Sequence, residues 1–375
     1  MRLLSTFLIA AALLPAADTT VYVGTYTRQN SKGIYAYRFN PSTGKLNSVG
    51  LVAETSNPSF LAIHPNRKFL YAVNEDNTFK GERAGAVTAF SIDPKTAKLT
   101  MLNQVSSKGP GPCHLALDKT GKWLFVANYG GGSIASYPVH PDGSLGEAVS
   151  FIQHTGSSAD PQRQSGPHAH STNVSPDNHF VLVADLGLDE VLTYSIGADG
   201  KLVAGNPAFV KVTPRSGPRH MAFHPKKKFA YLVNEMAATV TTFSYDSKNG
   251  SLKELQTLSM LPADYSGAKG SAEVAVHPNG KSVYASNRDV SNGGRDTITT
   301  FAVDSTKGTL AVTGVTTVGK IPRNFAIDPS GRYLFAASQD GASVLLYRID
   351  PTTGKLTATG DKMDVPFPVC VVFLK

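Results

Sequence analysis

Residues 218–234 read PRHMAFHPKKKFAYLVN. A proline opens an alternating stretch, His-Pro and a basic run make a turn, and an apolar run ends in Asn. The alternation, the aromatic and β-branched residues and the turn chemistry predict two strands joined by a tight turn. The phrase recurs as PSFLAIHPNRKFLYAVN (58–74), PCHLALDKTGKWLFVAN (112–128), AHSTNVSPDNHFVLVAD (169–185), SAEVAVHPNGKSVYASN (271–287) and PRNFAIDPSGRYLFAAS (322–338). A truncated copy, PVCVVFLK, occupies 368–375. Pro58, Pro112, Pro218 and Pro322 set a period of about 50 residues, as in repeat architectures. From His64, Asp118, Ser175, His224, His277 and Asp328 to Asn74, Asn128, Asp185, Asn234, Asn287 and Ser338 the gap is always 10.

A second phrase follows each first one: strand, turn, strand. Its copies include AVTAFSIDPKTAKLTML (86–102), SIASYPVHPDGSLGEAV (133–149) and VLLYRIDPTTGKLTAT (344–359), with another, IYAYRFNPSTGKLNSV (34–49), near the start. No long stretch of 3.6 period competes. Four strands per unit predict a β-propeller blade, and seven units predict an all-β, seven-bladed β-propeller with four antiparallel strands per blade. PVCVVFLK supplies an innermost strand without partners, and TTVYVGTYT, GIYAYRF and KLNSVGL supply three strands without an innermost one. The last blade is therefore expected to be closed by N- and C-terminal strands, so that hydrogen bonding seals the ring.

Composition agrees. The chain of 375 residues is 41% hydrophobic and 17% charged, which suits a globular core and excludes a disordered or multi-span membrane protein. Arg2 followed by the apolar run Leu3 to Leu14 is too short to span a bilayer and reads as a secretory signal over 1–17, with an uncleaved anchor as the alternative. The propeller then occupies 18–375. Two cysteines, Cys113 and Cys370, exclude a disulfide scaffold, and the predicted register keeps them apart. The net charge of +8 lies largely in turns such as HPNRK, HPKKK and HPNGK, without the basic, aromatic-interleaved segments of a nucleic-acid binder.

The strand order chooses a functional face. Naming the strands A to D outward from the axis, the A–B and C–D turns are short and share one face. The B–C and D–A connections share the other, and these are long and irregular: 75–85, 153–166, 261–270 and 288–294. Binding residues favour such loops on a rigid scaffold. Two rings of residues open there. At the start of strand A stand Ser59, Cys113, His170, Arg219, Ala272, Arg323 and Val369. At the end of strand B stand Glu75, Tyr129, Leu186, Glu235, Arg288 and Gln339, joined by Tyr26. Pairing about the turn at Lys227 brings Arg219 next to Glu235. His170, Arg219, Glu235 and Arg288 thus come from consecutive blades, with Glu75, Tyr129, Arg323 and Gln339 expected to contact substrate. A surface ion-pair cluster is the competing reading. His64, His224 and His277 belong to turns on the opposite face, and His114 and His220 point away from the ring.

No GxSxG, HExxH or GxGxxG pattern is present, and GVTTVGKI (314–321) fails as a phosphate loop because Ile321 replaces Ser or Thr. The segments GPHAHS (166–171), SGPRHMAFHP (216–225), YLVNE (231–235), YASNRD (284–289) and VYVGTYT resemble the seven-bladed lactonase family that includes propeller-type 6-phosphogluconolactonase and 3-carboxy-cis,cis-muconate cyclase. The resemblance implies lactone-ring chemistry with no cofactor and no metal. Matching the cyclase's His, Arg, Glu and Arg to this chain gives His168 or His170, Arg219, Glu235 and Arg288, with the strand register favouring His170.

The function expected from the resemblance is that of a carboxylic ester hydrolase acting on a sugar lactone, a small anionic molecule, at the axial mouth, or alternatively lactone formation by a cycloisomerase of the muconate cyclase type. A ligand-binding envelope propeller is the non-enzymatic alternative. Glu235 is either a general base or an orienter of the arginines, a histidine moves the proton, and Arg219 and Arg288 serve as fixed cations. A monomer is expected, exported if the signal is real and cytoplasmic if the family's role holds; export departs from a cytosolic role for a phosphorylated sugar.

Overall fold

The computed structural model describes residues 18–291 and 293–374; the proposed signal sequence, with Leu3 to Leu14, lies outside them. Seven four-stranded antiparallel sheets make up the described chain, with one short 3-10 turn at Gln339–Gly341. The composite sheet is the one expected. Pro368–Leu374 is innermost, followed outward by Thr19–Thr25, Gly33–Phe39 and Leu46–Glu54. Tyr22 pairs with Val372 and Val23 with Val371, so the first strand zips onto the last.

Second strands such as Phe69–Asn74 and Tyr333–Ser338 are buried along their whole length, because each lies between two neighbouring sheets. They read as continuous apolar runs for that reason. Outer strands such as Leu252–Ser259 alternate toward solvent. The core lies between blades: Tyr71 and Val73 of one sheet pack with Leu115, Leu124 and Val126 of the next. Tyrosine hydroxyls pin the next blade's outer turn. Tyr71 donates to Gly143 O at 2.9 Å and Tyr284 to Gly354 O at 2.8 Å. The His-Pro turns do the same on the inner side, where His64, His224 and His277 reach Gly121, Gly280 and Gly331 carbonyls.

The innermost strands share one irregularity that shapes the axis. Pro112 pairs with Asn128 and His114 with Ala127, so Cys113 is skipped. The ladder skips His170, Arg219, Arg323 and Val369 in the same way. A β-bulge leaves its extra residue unpaired and re-aims it. Most of the first ring of candidate residues is therefore made of bulges, while Ser59 stands just before its strand.

Candidate active site

Each bulge breaks the two-residue alternation, so neighbours along the strand both turn toward the axis. The axial cavities are lined by Ser59, Cys113, His170, Arg219, Arg323 and Val369, together with Phe60 and His220. This corrects one expectation: His220 does not point away from the ring but stands directly beneath it. Its ring lies 5.3 Å from that of His170 and 5.1 Å from that of His114. Between the ring and this layer only about 10 Å³ remains open, so the floor of the cup is closely packed.

The cup above it has a volume of about 170 Å³ and is lined by Glu75, Cys113, Tyr129, Arg163, His170, Glu235, Arg288 and Arg323. The second strands deliver Glu75, Tyr129, Glu235 and Arg288. Each follows a buried Asn whose side-chain amide fixes the strand end. Asn234 donates to Thr239 and Thr241 at 2.9 Å, and Asn128 to Ser107 O at 2.9 Å. Asp185 holds the same place in the third blade. Its Oδ1 accepts the His168 N–H at 2.8 Å, and its Oδ2 lies 2.7 Å from His154 Nδ1.

Glu235 is the electrostatic centre. Its Oε2 accepts from Arg219 Nε at 2.9 Å and lies 3.0 Å from Arg288 Nη2 and 3.9 Å from His170 Nε2. Its Oε1 accepts from Arg163 Nη2 at 2.8 Å. Burial alone would raise this carboxyl's pKa, but Arg288, Arg219 and Arg163 together hold it well below the usual carboxylate range. Of the two roles open to Glu235, the geometry fits the orienter of the arginines and not the general base. Arg219 Nη1 also donates to Ala272 O at 2.5 Å, and Arg288 Nε to Gly270 O at 2.6 Å. Burial brings Arg288 down to about 9, still above neutrality, so it stays charged.

His170 is buried, and burial followed by the Arg219 charge lowers its pKa well below the ordinary histidine value, leaving a neutral imidazole. Its Nδ1 lies 3.7 Å from Cys113 Sγ. Cys113 and Cys370 are both free thiols, and burial raises the Cys113 pKa strongly, so the thiol is neutral. Arg323 has its guanidinium carbon 5.3 Å from the centre of the Tyr26 ring, while the Tyr26 hydroxyl donates to Glu75 at 3.0 Å. Among the described residues the Arg323 guanidinium makes no hydrogen bond.

The structure thus brings together His170, Arg219, Glu235, Arg288, Glu75, Tyr129 and Arg323. Two candidates stand apart. His168 stacks on Tyr129 at 4.6 Å and its Nδ1 faces Tyr129 O at 2.9 Å, outside the cavity lining. The bulge register selects His170, because Ala169 pairs with Asp185 as Pro218 pairs with Asn234. Gln339 is also absent from the lining; it turns into the 3-10 segment and bonds to Asp340 at 2.9 Å. Arg163 was not singled out by the sequence, although the loop 153–166 that carries it was. Its Nη2 also donates to the Tyr129 hydroxyl at 3.1 Å. Among the described residues no group of three or more His, Cys, Asp or Glu side chains could hold a metal ion.

The family model for "Lactonase, 7-bladed beta-propeller" matches residues 20–373. A 6-phosphogluconolactonase of Bacillus subtilis is 36% identical over 355 residues, 94% of this chain and 97% of the relative. Another, of Formosa agariphila, is 34% identical over 90% of this chain and 94% of its own length. The structure of the periplasmic gluconolactonase of Pseudomonas aeruginosa superposes with a TM-score of 0.88 at 35% identity, covering 95% of this chain and 99% of that one.

Proposed function

The chain belongs to the seven-bladed β-propeller lactonase family, and from that premise we propose that it hydrolyses a sugar lactone in the axial cup. The observation that carries the reading is the convergence of one neutral imidazole and four guanidinium groups on or around one carboxylate, in a cavity otherwise walled by strand ends. Curated relatives named 6-phosphogluconolactonase and the gluconolactonase neighbour support the substrate class.

In this mechanism a water attacks the ring carbonyl while His170 Nε2 takes its proton. The tetrahedral oxyanion forms against Arg288 and Arg219, cations that need not reorganise during the reaction. Glu235 fixes their orientation. The carbon–oxygen bond of the ring then breaks, and the imidazolium returns its proton to the leaving ring oxygen, which becomes a hydroxyl. The product is the open hydroxy acid. Arg323, free of hydrogen bonds among the described residues, and Arg163 at the rim are suited to a substrate carboxylate or phosphate.

Export is part of the proposal. The Leu3 to Leu14 run supports it, as does a relative that is periplasmic by name. Cell fractionation with N-terminal sequencing tests it: a mature start near Asp18 or Thr19 is expected, and intact Met1 in the cytoplasm overturns it.

The substrate test is acid release from a panel of sugar lactones, phosphorylated and not, with Arg219→Ala and His170→Gln beside the wild type. Hydrolysis of at least one lactone, lost in both variants while circular dichroism is unchanged, is expected. Equal rates in all three proteins overturn the assignment.

A further inference from the structure

Beneath the cup lies a buried polar chain that the mechanism above does not use. Arg219 Nη1 donates to His220 Nε2 at 3.3 Å. An arginine only donates, so Nε2 is the acceptor and the proton of this neutral imidazole sits on Nδ1. Nδ1 lies 3.0 Å from Glu273 Oε2 and donates to it. Glu273 Oε2 also accepts from the Asn324 amide, and Oε1 accepts from Val274 N–H at 3.0 Å. Asn324 is itself fixed, since its Oδ1 accepts the Val371 N–H at 2.9 Å. Three blades and the closing strand therefore build one carboxylate cradle on the axis.

We propose that Glu273 and His220 are positioning residues, a carboxylate–imidazole pair in the floor of the cup that holds the Arg219 guanidinium in the orientation its Nε needs to reach Glu235. This rests on the lactonase reading of the cup. Two further observations support it. His220 and Glu273 are buried, and a buried carboxylate without a task would be an expense the fold could avoid with an apolar residue. Phe60 and His114 wall the pair from the side, with ring centres 5.7 and 5.1 Å from that of His220. His220 cannot easily rotate away.

The charged and titratable groups facing Glu273 are Arg219 and His220 on one inner strand, His114 on another and Cys370 on the closing strand. Burial pushes the Glu273 carboxyl up to about 7, against the pull of Arg219. Burial and Arg219 lower His220, and burial and His220 lower His114, so both imidazoles stay neutral while the carboxylate titrates. Protonation of Glu273 removes the acceptor that fixes the His220 tautomer. Arg219 then loses its brace, and turnover falls as pH drops through this region.

The experiment is a kcat and KM profile from pH 5.5 to 9 for wild type, Glu273→Gln, His220→Phe and Arg219→Ala, with NMR of the histidine ring nitrogens in labelled wild type. The expected wild-type result is an acidic limb near pH 7 in kcat. Glu273→Gln should lose that limb and about tenfold in kcat with KM nearly constant, and His220→Phe should do likewise. The His220 signals should report an Nδ1–H tautomer that changes over the same range. A folded Glu273→Gln or His220→Phe with wild-type kcat and an unaltered limb overturns the positioning role, as does an Nε2–H tautomer at pH 9, where Glu273 is ionised. If Arg219→Ala hydrolyses lactones as well as wild type, the reading of the cup fails instead, and the tautomer measurement still judges the pair.

Discussion

Arg219 and Glu235 stand 16 residues apart and close a 2.9 Å ion pair across the open end of one β-hairpin. Both are buried, and the same carboxylate binds Arg288 from the next blade at 3.0 Å. Removing one member of a buried ion cluster strands the others, at about 3–5 kcal/mol. Glu235→Gln should lower unfolding free energy by that order at pH 7, read by urea titration. A loss under 1 kcal/mol would mean that the arginines find other partners.

The two buried glutamates make stability depend on pH with opposite signs. Glu235 has its folded pKa far below the ordinary value of 4.5, so its contribution is present above pH 4.5 and disappears as pH falls below it. Glu273 is raised from 4.5 to about 7, so its contribution is complete below pH 4.5 and is lost as pH rises through 7. Thermal scans from pH 2 to 9 should show Glu235→Gln approaching wild type at the acid end. Glu273→Gln should compare best with wild type at the alkaline end. A constant gap in either series contradicts the shift.

Arg288 presents its guanidinium as a planar fork, with Nε on Gly270 O and Nη2 shared between Ser271 O and Glu235. A lysine cannot reproduce that geometry. Arg288→Lys should therefore lose about 10²–10³ in kcat, the scale of one oxyanion contact. Retention of more than a third of the wild-type rate would remove Arg288 from the oxyanion role.

Arg163 is half exposed at the rim, and its two hydrogen bonds go to Glu235 and Tyr129. Arg163→Ala should raise KM for an anionic lactone by about tenfold, or about 1.4 kcal/mol of binding, with a smaller fall in kcat. Comparing a phosphorylated lactone with its unphosphorylated parent isolates the effect. An equal change in KM for both would show that Arg163 does not read the anion.

His170 is held neutral by burial and by Arg219. Once the limb assigned to Glu273 is removed by Glu273→Gln, the rate should stay level through pH 6.5 in stopped-flow hydrolysis. A new limb at an ordinary histidine value would show that His170 is not buried beside the cation as described.

Much of the candidate site's geometry was legible from alignment of the repeats on their turns. The repeat register places Cys113, His170, Arg219 and Arg323 in one ring and Glu75, Tyr129, Glu235 and Arg288 in the other, and all eight surround the axial cavities. It failed where alternation was assumed to run unbroken. The residue skipped between Pro218 and His220 lets Arg219 and His220 face the axis together. Gln339 was misread because its strand end turns at once into a 3-10 segment. Arg163 escaped because a loop of 14 residues has no period to fix its register.

The sequence by itself determined the seven units, the closure by both termini and the face on which the candidate site lies. Those follow from turn spacing and apolar runs, which are local and repeat. Only the tertiary structure decided which state each charged group holds. That Glu235 is an orienting anion, that His170 is neutral and that Glu273 lies braced against His220 depend on burial and on cations contributed by other blades. Desolvation and Coulomb interaction act through space, and partners from 16 to 72 positions apart along the chain set them.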